Sequence, residues 1–123
     1  MIYLASPYSD PDPQVEETRF RHVCAVASKL MRAGHNVFAP IAHSHPIALA
    51  GGLPKDWDFW KAFDEHMIRT CRFFWVLTMP GWDASRGVRI ETEIARRLGR
   101  TLWYIHPNTL RVTREPMGSG ELR

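Results

Sequence analysis

The stretch "FFWVLTMPGWDASRGVRIETEIARRLGRTLWYIH", residues 73–106, decides the fold. It opens with an apolar run, 73–79, rich in aromatic and β-branched residues, which predicts a buried strand. A loop with proline and glycine follows. A helix is then predicted from about Gly87 to Leu98, closed by Gly99. A second apolar run, 101–106, predicts another strand. Strand, helix and strand with short connections describe a right-handed crossover between parallel strands.

The same alternation extends toward the N-terminus. "IYLA", 2–5, predicts a short buried strand ending at the proline-rich loop "SPYSDPDP". A helix is predicted from about Val15 to Ala33, with Phe20, Val23, Ala27, Leu30 and Met31 as its apolar stripe. "HNVFAP", 35–40, predicts a strand, and "IAHSHPIALAGGLPKD", 41–56, a loop. A helix is expected over about 55–71, with Trp57, Trp60, Phe63, Met67 and Cys71 at helical spacing.

The order β-α-β-α-β-α-β predicts an α/β protein, a single-domain flavodoxin- or Rossmann-like three-layer sandwich. Its parallel sheet would have four to five strands, all near-continuous apolar runs. The domain is expected over 1–110, with 111–123 as a partly disordered C-terminal tail.

At 123 residues the chain can bury one core. No apolar run approaches the roughly 18 residues of a membrane span, and the N-terminus has no basic n-region. A cytoplasmic protein with no membrane partner is expected. Cys24 and Cys71 fall in apolar surroundings without a CxxC pairing, so both read as buried small hydrophobes. The net charge of +3 suits a mixed surface with some attraction for an anionic small molecule. No basic stripe interleaved with aromatics appears, so no nucleic acid polymer is expected.

Open parallel sheets bind ligands at the carboxyl ends of their strands. Those ends are "SPYS" with Ser6 and Pro7, "PIAHSHP" with His43 and His45, and "PGWDASRG" with Trp82, Asp83, Ser85 and Gly87. Ser85 and Gly87 sit where a helix N-cap would offer a hydroxyl and free N–H groups to a phosphate. Trp82 reads equally as a loop anchor or a stacking platform for a base. The H-x-H spacing of His43 and His45 does not by itself complete a metal site. Neither a P-loop nor G-x-G-x-x-G is present.

One residue breaks the pattern. On the last helix Glu93 falls on a charged face, but Glu91 falls on the apolar stripe with Val88, Ile94, Ala95 and Leu98. A carboxylate facing the core must be hydrogen-bonded, paired or functional. One turn inside a helix that starts beside a strand's carboxyl end, it can look into the ligand crevice. The helix N-terminus favours its ionised form and burial opposes it. Tyr3 is positioned either as core or to orient such a carboxylate. Asp64, among Trp60, Phe63, Met67 and Ile68, reads as a surface residue or one turned toward a ligand.

Three segments together resemble the nucleoside 2-deoxyribosyltransferase superfamily, which also holds the deoxynucleoside 5′-monophosphate N-glycosidases. "IYLASPY" resembles that family's opening strand, "AFDEHMIRTCRFFWVL" its helix-then-strand segment, and "SRGVRIETEIARRLG" its G-x-x-x-E-x-x-x-A-x-x-x-G segment. "PGWDASRGV" and "HSHP" look closest to a small bacterial and phage branch. The resemblance implies cleavage or exchange of the N-glycosidic bond of 2′-deoxynucleosides or their 5′-monophosphates. Glu91 would be the nucleophile, Tyr3 its orienting partner, Asp64 a contact to deoxyribose and Ser85 a contact to the 5′ end. No cofactor and no metal is implied, and a homo-oligomer, dimer to hexamer, is. The alternative is a non-catalytic nucleotide-binding or sensing module on the same fold.

Overall fold

A computed structural model describes residues 1–116; the remainder of the expected tail, 117–123, lies outside the described residues. The elements are β1 (Ile2–Ala5), α1 (Pro13–Arg32), β2 (Val37–Phe38), α2 (Pro40–Gly51), α3 (Trp57–Thr70), β3 (Phe73–Leu77), α4 (Arg86–Arg97), β4 (Leu102–Ile105) and β5 (Val112–Thr113). They form one five-stranded sheet in the order β2-β1-β3-β4-β5. The first four strands are parallel, and β5 pairs antiparallel with β4. The α/β Rossmann-like fold expected from the alternation of strands and helices is therefore present.

The two-residue period of the strands divides the core. Ile2 and Leu4 of β1 join Val23, Val26, Ala27 and Leu30 of α1 on one face. Tyr3 and Ala5 join Ile68 of α3 and Val88, Ile94 and Ala95 of α4 on the other. Tyr3 pairs in register with Phe74 of β3, and their rings stack 5.5 Å apart. A slip of one residue in β1 would send Tyr3 to the wrong face.

Local chemistry sets the helix ends. Asp12 caps α1 by accepting from Gln14 N–H, and Pro13 occupies the first turn, where a missing N–H costs nothing. Ser85 caps α4, accepting from Val88 N–H at 3.2 Å.

Two expectations are corrected. Residues 41–56 are not one loop, because α2 occupies Pro40–Gly51. Its prolines and weak periodicity hid it. Pro40 stands in the first turn, where proline is tolerated, and Gly52 ends the helix with a left-handed φ of 66°. Packing against α1 rather than propensity holds it, and Pro46 stays exposed within it. The tail does not begin at 111, because Val112 and Thr113 extend the sheet beside Ile105 and Tyr104. Among the described residues no helix is long and apolar enough to cross a membrane.

Candidate functional site

The chain leaves β1 toward β2 on one side and β3 toward β4 on the other, so the sheet reverses direction between β1 and β3. Ligand crevices form at such switch points, outside the carboxyl ends of the strands. A cleft of about 500 Å³ opens there, within the range of small-molecule sites, about 300–1,000 Å³. Ser6, Tyr8, Ser9 and Asp10 after β1 form part of its wall. Gly81, Ala84 and Ser85 after β3 form another, and Lys55, Trp57, Trp60 and Asp64 close it from the α3 side. Glu91 of α4 lines it too.

Glu91 is buried, 5% exposed, and accepts a hydrogen bond from the Tyr3 hydroxyl through Oε2. Tyr3 lies wholly inside, on β1 between β2 and β3. Asp64 is buried, and its charge acts on both groups. Burial pushes the Glu91 carboxyl up to about 8; the nearby Asp64 adds to the rise and the Tyr3 bond opposes it. Burial also pushes Asp64 up to about 7. Between the two influences weighed on Glu91 from sequence, burial outweighs the helix N-terminus. The Tyr3 hydroxyl is raised by burial first and then by Glu91 and Asp64, so it remains a donor.

Of the residues singled out from sequence, Glu91, Asp64, Ser6, Ser85 and Gly87 line the cleft, with Tyr3 directly behind Glu91. Five others stand elsewhere. Pro7 is fully buried within the loop after β1. Trp82 packs edge-on against Tyr104, 5.7 Å away, in the core, which makes it the loop anchor. Asp83 is exposed on a short 3-10 turn, Trp82–Ala84. His43 stacks on Phe63 at 5.0 Å. His45 points the other way, into a buried position between Tyr8 and Glu17. The two histidines diverge because α2 is helical, and residues two apart on a helix do not share a face. Among the described residues no group of three His, Cys, Asp or Glu side chains is placed to hold a metal ion.

Sequence reasoning missed Tyr8, Arg19, Lys55 and Arg86 as cleft residues, and took Trp57 and Trp60 only as a core stripe. Trp60 donates to the Pro54 carbonyl, which pins the loop before α3. Arg19 donates to the carbonyls of Tyr8 and Ser9 at 3.2 and 3.1 Å. Among the described residues no carboxylate lies within salt-bridge distance of it. Ser6 Oγ is buried and has no hydrogen-bond partner among the described residues. An unpartnered buried hydroxyl costs about 1–3 kcal/mol, a cost that a bound polar ligand would remove. The signal for Arg19 was its place in the second turn of α1, but nothing in the pattern turned it inward.

Gly81 makes room for that arginine. Its φ is +92°, and a Cβ there would lie 2.6 Å from an Arg19 terminal nitrogen. Gly81→Ala is expected to cost about 1–2 kcal/mol, mainly for the left-handed backbone, and to displace Arg19. Thermal melting against wild type measures the first effect, and ligand titration the second.

No curated protein matches the chain. A family described as a domain of unknown function, DUF1937, matches residues 1–106, which carry every element up to β4 and the whole of the cleft, and the chain belongs to that family.

Proposed function

We propose that the protein cleaves or exchanges the N-glycosidic bond of a 2′-deoxynucleoside or its 5′-monophosphate. The observation that carries this reading is the buried Tyr3–Glu91 pair at the wall of a cleft that Asp64 also lines. A carboxylate fixed by one oxygen keeps the other for attack. In this reading Glu91 Oε1 bonds to C1′ as the bond from C1′ to the base breaks, and the base takes the electron pair. The glycosyl ester is then resolved by a second base or by water, the two-step logic of retaining glycosidases. Asp64 holds the sugar hydroxyls. Trp57 and Trp60 offer apolar surface for the base. Arg19, Arg86 and the Ser6 hydroxyl supply cations and a free polar group for the phosphate of a monophosphate.

The test is incubation with each deoxynucleoside and its monophosphate, followed by chromatography for free base. Release of base from at least one supports the reading; none from any of them defeats it. Tyr3→Phe is expected to slow release by about 10–100-fold, the worth of one hydrogen bond to a charged group. It also drives the Glu91 carboxyl still higher, because the lost bond favoured the ionised form. Carboxyl chemical shifts of labelled glutamate across pH follow that change directly.

A second reading, nucleotide binding without turnover, draws on the raised Glu91. A carboxyl that titrates near 8 is mostly neutral at pH 7 and can donate a hydrogen bond to a ligand. Ligand-dependent thermal stabilisation without base release is its signature. Association between copies belongs to either reading. Ile47 and Leu49 of α2 and Phe59 and Phe63 of α3 are exposed apolar side chains that contact with a second copy would cover.

A further inference from the structure

The roles given to Tyr3, Asp64 and Glu91 in the proposed reaction leave one requirement open. A departing base carries off the electron pair of its bond to C1′, and a proton delivered to it lowers the barrier. Behind the cleft wall stands a row of side chains with no role so far. The Tyr8 hydroxyl lies 2.5 Å from Nδ1 of His45, and Nε2 of His45 lies 3.0 Å from Oε1 of Glu17. Three separate segments supply them: the loop after β1, α2 and α1. His45 is 3% exposed, with the Phe20 ring 4.4 Å from its own. Glu17 is partly exposed, and Arg21 donates to its other oxygen. Of the three, Tyr8 alone lines the cleft. The row thus runs from solvent to the ligand crevice through a buried imidazole.

Donor and acceptor rules fix what this row can do. A carboxylate only accepts, so Nε2 of His45 carries the hydrogen directed at Glu17. With His45 neutral, Nδ1 is bare and must accept from the Tyr8 hydroxyl. With a second proton on His45, Nδ1–H donates to the Tyr8 oxygen instead, and the phenolic hydrogen is released for another acceptor. A proton on the imidazole therefore turns Tyr8 from a donor to His45 into an acceptor from it, which frees the Tyr8 hydrogen to be donated into the cleft. Burial, followed by the charges of Glu16 and Glu17, pushes the Tyr8 hydroxyl up to about 12, so it keeps its hydrogen until an acceptor draws it off. The other charged groups beside the row are Lys55, paired with Glu16, and Arg19, on the Tyr8 and Ser9 carbonyls.

We propose that Tyr8 is the acid that protonates the departing base, with protonated His45 behind it and Glu17 as the residue that positions His45. The proposal rests on the glycosidic reading above. As the C1′–N bond breaks, its electron pair takes the Tyr8 proton. The Tyr8 oxygen takes the Nδ1 proton of His45, and His45 becomes neutral. Glu91 loses its charge to the new ester, so one carboxylate and one imidazolium are consumed together and the base leaves neutral. When water resolves the ester, its proton passes to the Tyr8 oxygen as the Tyr8 hydrogen returns to Nδ1 of His45, so the Glu91 carboxylate and the imidazolium are restored together.

The test separates acid catalysis from mere support. Wild type, Tyr8→Phe and His45→Gln, each first checked by thermal melting, are assayed for single-turnover release from two kinds of substrate. One kind is the natural deoxynucleosides and their monophosphates. The other is 7-methyl-2′-deoxyguanosine and its monophosphate, whose base already carries a positive charge and departs without a proton. The loss on the best natural substrate is expected to exceed the loss on the methylated one by about 100-fold in both variants. Equal losses on both kinds, or no loss, overturn the proposal. Turnover that requires Glu91 and ignores Tyr8 overturns this proposal alone, whereas a silent wild type overturns the glycosidic reading and this one with it.

Discussion

Glu91→Gln is expected to leave a folded protein that releases base at least ~10³-fold more slowly than wild type, because the amide is no nucleophile. Gln keeps the length of Glu, and its carbonyl oxygen can still accept from the Tyr3 hydroxyl, so the core around β1 and α4 retains its packing. Alanine would be the poorer probe, since it empties a buried site and confounds activity with stability. A 2′-fluoro-arabino analogue, which slows the second step more than the first, should accumulate an ester in wild type. Mass spectrometry would find the added sugar on the peptide containing Glu91, and find none in Glu91→Gln. Equal rates in the two proteins would end the nucleophile assignment.

The second large effect is on stability. Glu91 moves from 4.5 to about 8 on folding and Asp64 from 3.8 to about 7. Both folded values lie above the unfolded ones, so both groups take up protons on folding. Their stabilisation is complete below about pH 4 and is lost as pH rises through about 7 to 8. Each pH unit of separation is worth about 1.4 kcal/mol, so the two separations make Tm fall markedly as pH rises toward 8. Ordinary paired carboxylates act in the opposite direction. The clean measurement is therefore the difference between wild type and Glu91→Gln. Relative to the variant, wild type should lose ground steadily from pH 5 to pH 9. A constant difference across that range would mean that the carboxyl is not buried as described.

The parts of this architecture legible in the sequence are those with strong periodicity or plain punctuation. The apolar runs of β1, β3 and β4 leave little alternative, although only β1 is buried along its whole length. Asp12-Pro13 and Ser85 announce helix starts by their own chemistry. Glu91 was legible because a charge on an apolar stripe is costly enough to need a reason. The rest was written in contacts between distant segments. α2 buries only Pro40, His45 and Ala48, too thin a stripe to register as a helix. β5 is two residues long and owes its existence to the edge of β4. Arg19 and Tyr8 enter the cleft because the loops after β1 and β3 fold toward each other, and no local pattern encodes that approach. His45 was flagged with its neighbour His43 as one motif, yet helical phase sends them to different sides.

The reversal of direction between β1 and β3 has a consequence for how such a protein diversifies. Tyr3 and Glu91 stand on a strand and a helix whose packing fixes their aim. Much of the remaining lining comes from residues 6–10, 55–56 and 81–85, which lie outside the long helices and the strands. The Tyr3–Glu91 pair thus stands apart from much of the lining, while Tyr8 belongs to the loop after β1. Changes at 55–56 and 81–85 can reshape the cleft wall while the pair beneath and Tyr8 keep their places, so the cleft can vary without disturbing the residues proposed to react.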